Sequence, residues 1–188
     1  MHGEDGWCRS CGVPRRPQCG SLILQSRGLK SVEGAWVPNW QFDAYCLERA
    51  LAEQVVASGF PLPLLPIEWH GQPPGDAMQI VAPTMGVAWF DPAELRARTI
   101  AKHGAAGASC DECGVWRWYP LLSEEMPPYR YAAMDDDVHV AASPEWFGDG
   151  HKAFRQVIVR RALAEMIVAA SPRDFRIHEF ATGSPASA

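Results

Sequence analysis

Two short stretches of the sequence carry thiols at a spacing suited to metal chemistry: "CRSCG", with Cys8 and Cys11, and "CDECG", with Cys110 and Cys113. Two intervening residues let one tight turn aim both sulfurs at a single ion. The glycine that follows takes the backbone conformation that turns amides toward the thiolates. Together the two knuckles supply four thiolates, the number that zinc takes in a closed, tetrahedral, structural site. A pair of reduced knuckles holding no metal is the plainer alternative. A redox role is disfavoured, because redox pairs of this spacing sit at helix N-termini, where the dipole depresses the thiol pKa. Here "GVWRWYP" follows Cys113 and reads as a turn into a strand. Four thiolates leave no coordination position for water or substrate, so the site reads as structural and the chain as a non-enzyme.

The other chemistry-bearing residues are weaker signals. Cys19 lies close enough to Cys11 to compete for the metal but has no thiol at knuckle spacing, and Cys46 reads as a small core hydrophobe. Histidines at 2, 70, 103, 139, 151 and 178 form no ligand pair at helical spacing and no HExxH motif. Trp116 and Trp118 flank Arg117 and in a strand would share one face with Arg117 on the other. The two tryptophans either cap the metal site and core or anchor a partner-binding surface, where Trp and Arg dominate the energetics. Asp135, Asp136 and Asp137 form a solvated acidic loop or a patch that meets a basic partner and speeds its capture. As a cation site they fit poorly, since three neighbouring carboxylates cannot converge on one hard ion.

These residues must be held by a chain of 188 residues, 47% hydrophobic and 21% charged, values that sustain a buried core and exclude wholesale disorder. No apolar run approaches the roughly 20 residues that span a bilayer, and "MHGEDGWC" lacks the marks of a secretory signal. The expectation is a cytoplasmic protein without a membrane partner. In a reducing compartment, paired cysteines are more often metal ligands than disulfides. The formal net charge is −5, yet residues 9 to 30 hold Arg9, Arg15, Arg16, Arg27 and Lys30 and no acid. The acidic remainder argues against broad nucleic-acid binding. The basic segment keeps a zinc-knuckle nucleic-acid-binding protein as the alternative function, with Arg117 assisting and Trp116 or Trp118 stacking on bases.

The elements follow from patterning. "GSLILQS" predicts a strand, and "FDAYCLERALAEQVVASG" a helix from Phe42 to Ser58 stopped by Gly59. Five prolines in the next eighteen residues predict an extended connection that is neither helix nor inner strand. "AMQIVAP" and "GVAWF" read as paired strands. Asp91 as N-cap, Pro92 in the first turn and Gly104 at the end define a helix. "RYAAM" and "VHVAA" read as strands, "HKAFRQVIVRRALAEMIVAA" as a long helix, "FRIHEF" as a last strand and residues 181–188 as a disordered tail. The expected fold is a single α+β domain over residues 1–180, with a mixed or antiparallel sheet and about three helices. A four-cysteine zinc site would join its N-terminal and central knuckles.

With one CxxCG knuckle near the start, another past the middle and a proline-rich stretch between them, the sequence resembles the double-CXXCG-motif proteins, paralogues best known from myxobacteria. The resemblance implies a bacterial immunity protein, a toxin-antitoxin type of role. Such a protein binds and neutralises a cognate toxin protein delivered by kin or neighbours. Carried onto this chain, it makes Cys8, Cys11, Cys110 and Cys113 the ligands of a structural Zn2+.

Overall fold

The computed structural model describes residues 1–39, 41–130, 138–180 and 182–183. Contacts gather the chain into two compact units. The first comprises Met1–Gly6, Pro14–Ala82 and Val159–Ile177, the second Trp7–Val13, Pro83–Ile158 and His178–Ala188. The α+β expectation is borne out: three α-helices accompany mixed and antiparallel sheets among the described residues.

The first unit is built on five strands: β1 (Leu22–Gln25), β2 (Ala35–Trp36), β3 (Tyr45–Glu48), β4 (Leu64–His70) and β5 (Ala77–Ile80), in the spatial order β1-β4-β5-β3-β2. β1 runs parallel to β4 and the remaining pairs are antiparallel. Leu22, Ala44, Cys46, Ile67 and Ala77 form the core of the sheet, with Trp36 and Trp69 packed against it. Two helices belong to this unit, α1 (Arg49–Ala57), which buries Leu51, Ala52 and Val55, and α3 (Arg161–Ala170), which buries Leu163 and Ile167.

The predicted helix from Phe42 is a strand for its first part: β3 lies between β2 and β5, and its Cys46 and Leu47 are buried in the sheet rather than on a helix. The predicted helix from His151 likewise begins as a strand, β11 (Val157–Val159), because the β-branched run Val157, Ile158, Val159 packs better on a pleated surface. The proline-rich stretch contains β4, an inner strand. Pro66 is tolerated because the two pairings of β4 are staggered. Leu64, Leu65 and Pro66 face β5, whereas pairing with β1 starts at Ile67, so Pro66 has a paired strand on one side only.

The second unit holds α2 (Pro92–His103) and a three-stranded sheet of β6 (Gly107–Ser109), β7 (Trp116–Trp118) and β10 (Trp146–Phe147), with β7 in the middle. Helix α2 forms as its sequence signals predict: the Asp91 carboxylate accepts from the amides of Ala93 and Glu94 at 3.0 and 2.9 Å, and Gly104 closes the end at φ 79°. Short pairs β8 (Tyr129–Arg130) with β12 (Thr182–Gly183) and β9 (Val140–Ala142) with β11 complete the strands. "GVAWF" forms no strand. Trp89 and Phe90 instead enter a core with Leu95, Leu121, Met126, Tyr129, Ala141 and Phe147. Glu145 Oε1 accepts from the Trp89 amide at 2.6 Å, and burial pushes its carboxyl above the usual carboxylate range. "FRIHEF" forms no strand either. Residues 131–134 of "RYAAM" lie outside the described residues, as does the assigned tail apart from Thr182 and Gly183.

Candidate metal centre

Both knuckles lie within the second unit and share one backbone design. In the first, the Cys8 amide donates to the Val13 carbonyl at 2.9 Å and the Gly12 amide to the Cys8 carbonyl at 2.9 Å. In the second, the Cys110 amide donates to Val115 at 3.0 Å and the Gly114 amide to Cys110 at 2.8 Å. Gly12 and Gly114 sit at φ 74° and 71°, a left-handed conformation that only glycine adopts without penalty. Each turn thus presents its two sulfurs on the same side.

The four sulfurs converge. All lie within 4.8 Å of one another; Cys8 Sγ is 3.6 Å from Cys110 Sγ, and Cys11 Sγ is 3.6 Å from Cys113 Sγ. The knuckles therefore meet residue for residue, each contact joining positions 102 apart, and Ser10 Oγ donates to Glu112 Oε2 across the same seam at 2.6 Å. A tetrahedron of thiolates about 2.3 Å from a central metal has edges of roughly 3.8 Å, so the observed spacing fits one ion. It is far too long for disulfides, which need about 2.05 Å, and all six cysteines are free thiols.

Burial and electrostatics agree with this geometry. Cys8, Cys11 and Cys110 are buried and Cys113 half-buried, under a small apolar shell of Val13, Val115, Trp146 and Ala153. The Arg155 guanidinium stacks over the Trp146 ring, 5.2 Å from its centroid. Burial pushes the Cys8 thiol up, but hydrogen bonds to Cys11, Ser10 and Cys110 outweigh it and bring Cys8 down to about 6. Cys11 is pushed up to about 12 by burial, and the neighbouring thiols Cys8, Cys113 and Cys110 raise it further. Burial also leads the upward shift of Cys113. Cys11 and Cys113 thus hold their protons while Cys8 favours the thiolate. A soft divalent cation replaces those protons and neutralises the mutual repulsion of the sulfurs, and metal binding at such a site releases protons.

The other singled-out residues fall elsewhere. Cys19 belongs to the first unit, is exposed, and points its thiol at the Met1 carbonyl, so it is not among the four clustered thiols. Cys46 is buried in β3, and burial pushes its thiol up to about 12. Trp116 is 38% exposed and meets the half-buried Trp118 edge-on, ring centroids 5.6 Å apart; Trp118 packs on the aromatic core. Asp135, Asp136 and Asp137 lie outside the described residues. Arg117, assigned above to a nucleic-acid surface, is buried and donates to the Gly150 carbonyl at 2.6 Å.

Sequence reasoning missed the shell around the sulfurs. Trp146 and Ala153 pack on them, and His151 Nδ1 lies 3.2 Å from the Arg9 carbonyl inside the first knuckle. Ser10 and Glu112 had a signal, being polar residues between paired cysteines. The residues from Trp146 to Ala153 had none, because their role depends on where the chain returns.

No protein-family model matches the chain, and no curated protein or solved structure matches it. Among the described residues no helix is long and apolar enough to cross a membrane.

Proposed function

We propose that this chain is a non-enzymatic, cytoplasmic bacterial immunity protein of the double-CXXCG type, which binds a cognate toxin protein and holds a structural zinc ion on Cys8, Cys11, Cys110 and Cys113. The observation that carries the reading is the convergence of two CxxCG knuckles, Cys8 against Cys110 and Cys11 against Cys113, each at 3.6 Å. Four soft sulfur donors at tetrahedral spacing suit zinc, which brings no redox chemistry and fills its shell with them. A closed shell leaves no position at which substrate could be activated, so function resides in the surface that the metal helps to hold.

Two features support a protein partner. The net charge of −5 accelerates capture of a basic toxin through long-range steering. Trp116 stands exposed on the strand that follows the second knuckle, as an aromatic anchor for a docking partner would. The nucleic-acid alternative is left with Arg9, Arg15, Arg16, Arg27 and Lys30, all exposed, once Arg117 is committed to the interior.

The test is growth of a bacterial host that expresses the product of the adjacent open reading frame, with and without this chain. Rescue together with a stable complex of the two proteins is the expected result. A toxic neighbour that this chain neither binds nor neutralises would overturn the cognate immunity reading. A mobility shift on single- or double-stranded probes that weakens steeply with salt would then move the nucleic-acid reading forward.

A further inference from the structure

Resting on the zinc reading, we propose that Arg117 and His151 are positioning residues of the metal centre, which clamp the first knuckle in register with the second through the turn at residues 148–151.

The path starts four residues beyond Cys113. Arg117 lies on the middle strand β7 and is 7% exposed, unusual for a cation, since charged side chains are almost never buried unless paired. Its Nη1 donates to the Gly150 carbonyl, while its Nε, also buried, meets no acceptor among the described residues. The order of this guanidinium therefore rests on Gly150. In the parallel pairing of β7 and β10, Arg117 lies opposite Trp146, one of the residues packed on the cysteine cluster.

From Gly150 the chain passes to His151, which grips the first knuckle twice. Its Nδ1–H donates to the Arg9 carbonyl at 3.2 Å, between the two cysteines. Its own carbonyl lies where a Cβ on Gly12 would stand only 2.6 Å away, so it closes over the glycine that ends the turn. The turn is itself firmly built. Phe147 and Phe154 exchange both backbone hydrogen bonds at 2.8 and 3.0 Å, and a Cβ on Gly148 would meet the Lys152 carbonyl at 1.9 Å. A continuous route of short contacts thus runs from the second knuckle through Arg117, Gly150 and His151 to both sides of the first.

This route matters because the ligand pairs come from segments 102 residues apart. When either pair swings away, two of four bonds are lost and the metal escapes, so whatever fixes one knuckle against the other controls the release rate. Outer-shell partners of this kind are typically worth 10–100-fold in metal affinity.

The test begins with the zinc content of the wild-type chain and the absorption spectrum of its cobalt(II)-substituted form, expected to be one ion per chain and a tetrahedral tetrathiolate spectrum. Zinc release to a chromophoric chelator is then timed for Arg117→Met, Arg117→Lys and His151→Ala, with circular dichroism to check the fold. Release should accelerate about tenfold or more in Arg117→Met and His151→Ala. Arg117→Lys keeps a donor for Gly150 and should fall between. If Arg117→Met fails to fold, His151→Ala decides, because His151 is exposed. A wild-type chain without zinc overturns both the zinc reading and the clamp. One zinc per wild-type chain, with unchanged release and cobalt spectra in the folded variants, overturns the clamp alone.

Discussion

Gly12 and Gly114 hold equivalent places in the two knuckles, with φ of 74° and 71°, yet their surroundings differ. A side chain at Gly114 would enter open space, whereas one at Gly12 would collide with the His151 carbonyl. Gly114→Ala should therefore cost only the left-handed backbone strain, about 1–2 kcal/mol. Gly12→Ala should cost more and also weaken metal retention, because the 148–151 turn must move. Denaturant unfolding and zinc content of the two variants check this; equal effects would contradict it. Cys46 offers a pH test in the first unit. Its thiol rises from 9.0 to about 12 in the fold, so the neutral form is favoured there. The stability this confers is fully present below pH 9 and is lost as pH climbs toward 12, at about 1.4 kcal/mol per pH unit. Cys46→Ala should show a shallower fall of stability between pH 9 and pH 11 than the wild type, whatever its stability at neutral pH. The four knuckle cysteines were legible in the sequence because their spacing is itself the chemistry. Arg117 was not. Strand alternation separates it from Trp116 and Trp118, but period two does not say which face is buried.

At the scale of elements, legibility followed the presence of terminal signals. Helix α2 could be bounded from sequence because Asp91, Pro92 and Gly104 each do a chemical job at its ends. Helices α1 and α3 could not, because each continues almost directly from a strand, β3 ending at Glu48 and β11 at Val159. Neither the Glu48 nor the Arg160 side chain caps its helix, so nothing in the residue types marks the change from a period of two to one of 3.6. The proline-rich stretch hid β4 for a different reason: at Pro66 the strand is paired on one side only, as at a sheet edge, and pairing with β1 begins at Ile67. The missing caps lead to a paired prediction. Glu48 already has extended backbone angles, φ −58° and ψ 150°, so Glu48→Asp brings a carboxylate within reach of the first free amides of α1. It should stabilise the protein by about 0.5–1 kcal/mol, whereas Asp91→Ala at the start of α2 should destabilise it by about 1 kcal/mol. Chemical denaturation of both variants reads the two signs. An Asp91→Ala protein as stable as wild type would mean that the cap hydrogen bonds contribute nothing to α2.

For the molecule as a whole, the placement of the sulfurs sets what metal removal must do. The first knuckle is a short excursion, Trp7–Val13, whose neighbours in sequence belong to the first unit while it belongs to the second. Within the second unit it meets the second knuckle through the 3.6 Å sulfur contacts and the Ser10–Glu112 bond, and the turn at residues 148–151 through His151. A metal shared by both knuckles closes a loop of about a hundred residues and so restricts the unfolded chain, a constraint worth about 4.7 kcal/mol from chain entropy alone. In a chain of this size each kcal/mol moves the melting temperature by about 2–4 °C. Exhaustive chelation should therefore lower Tm by about 10 °C or more, and added zinc should restore it. Substituting Cys110 with Ser should reproduce the loss with no response to zinc, whereas Cys19→Ser should behave as wild type, since its thiol lies outside the cluster. Calorimetry on the zinc-loaded, chelated and reloaded protein, with elemental analysis at each stage, makes the comparison. A chain that gives up its metal and keeps its melting temperature would show that packing alone holds the knuckles together, and that the sulfurs are kept close for some purpose other than stability.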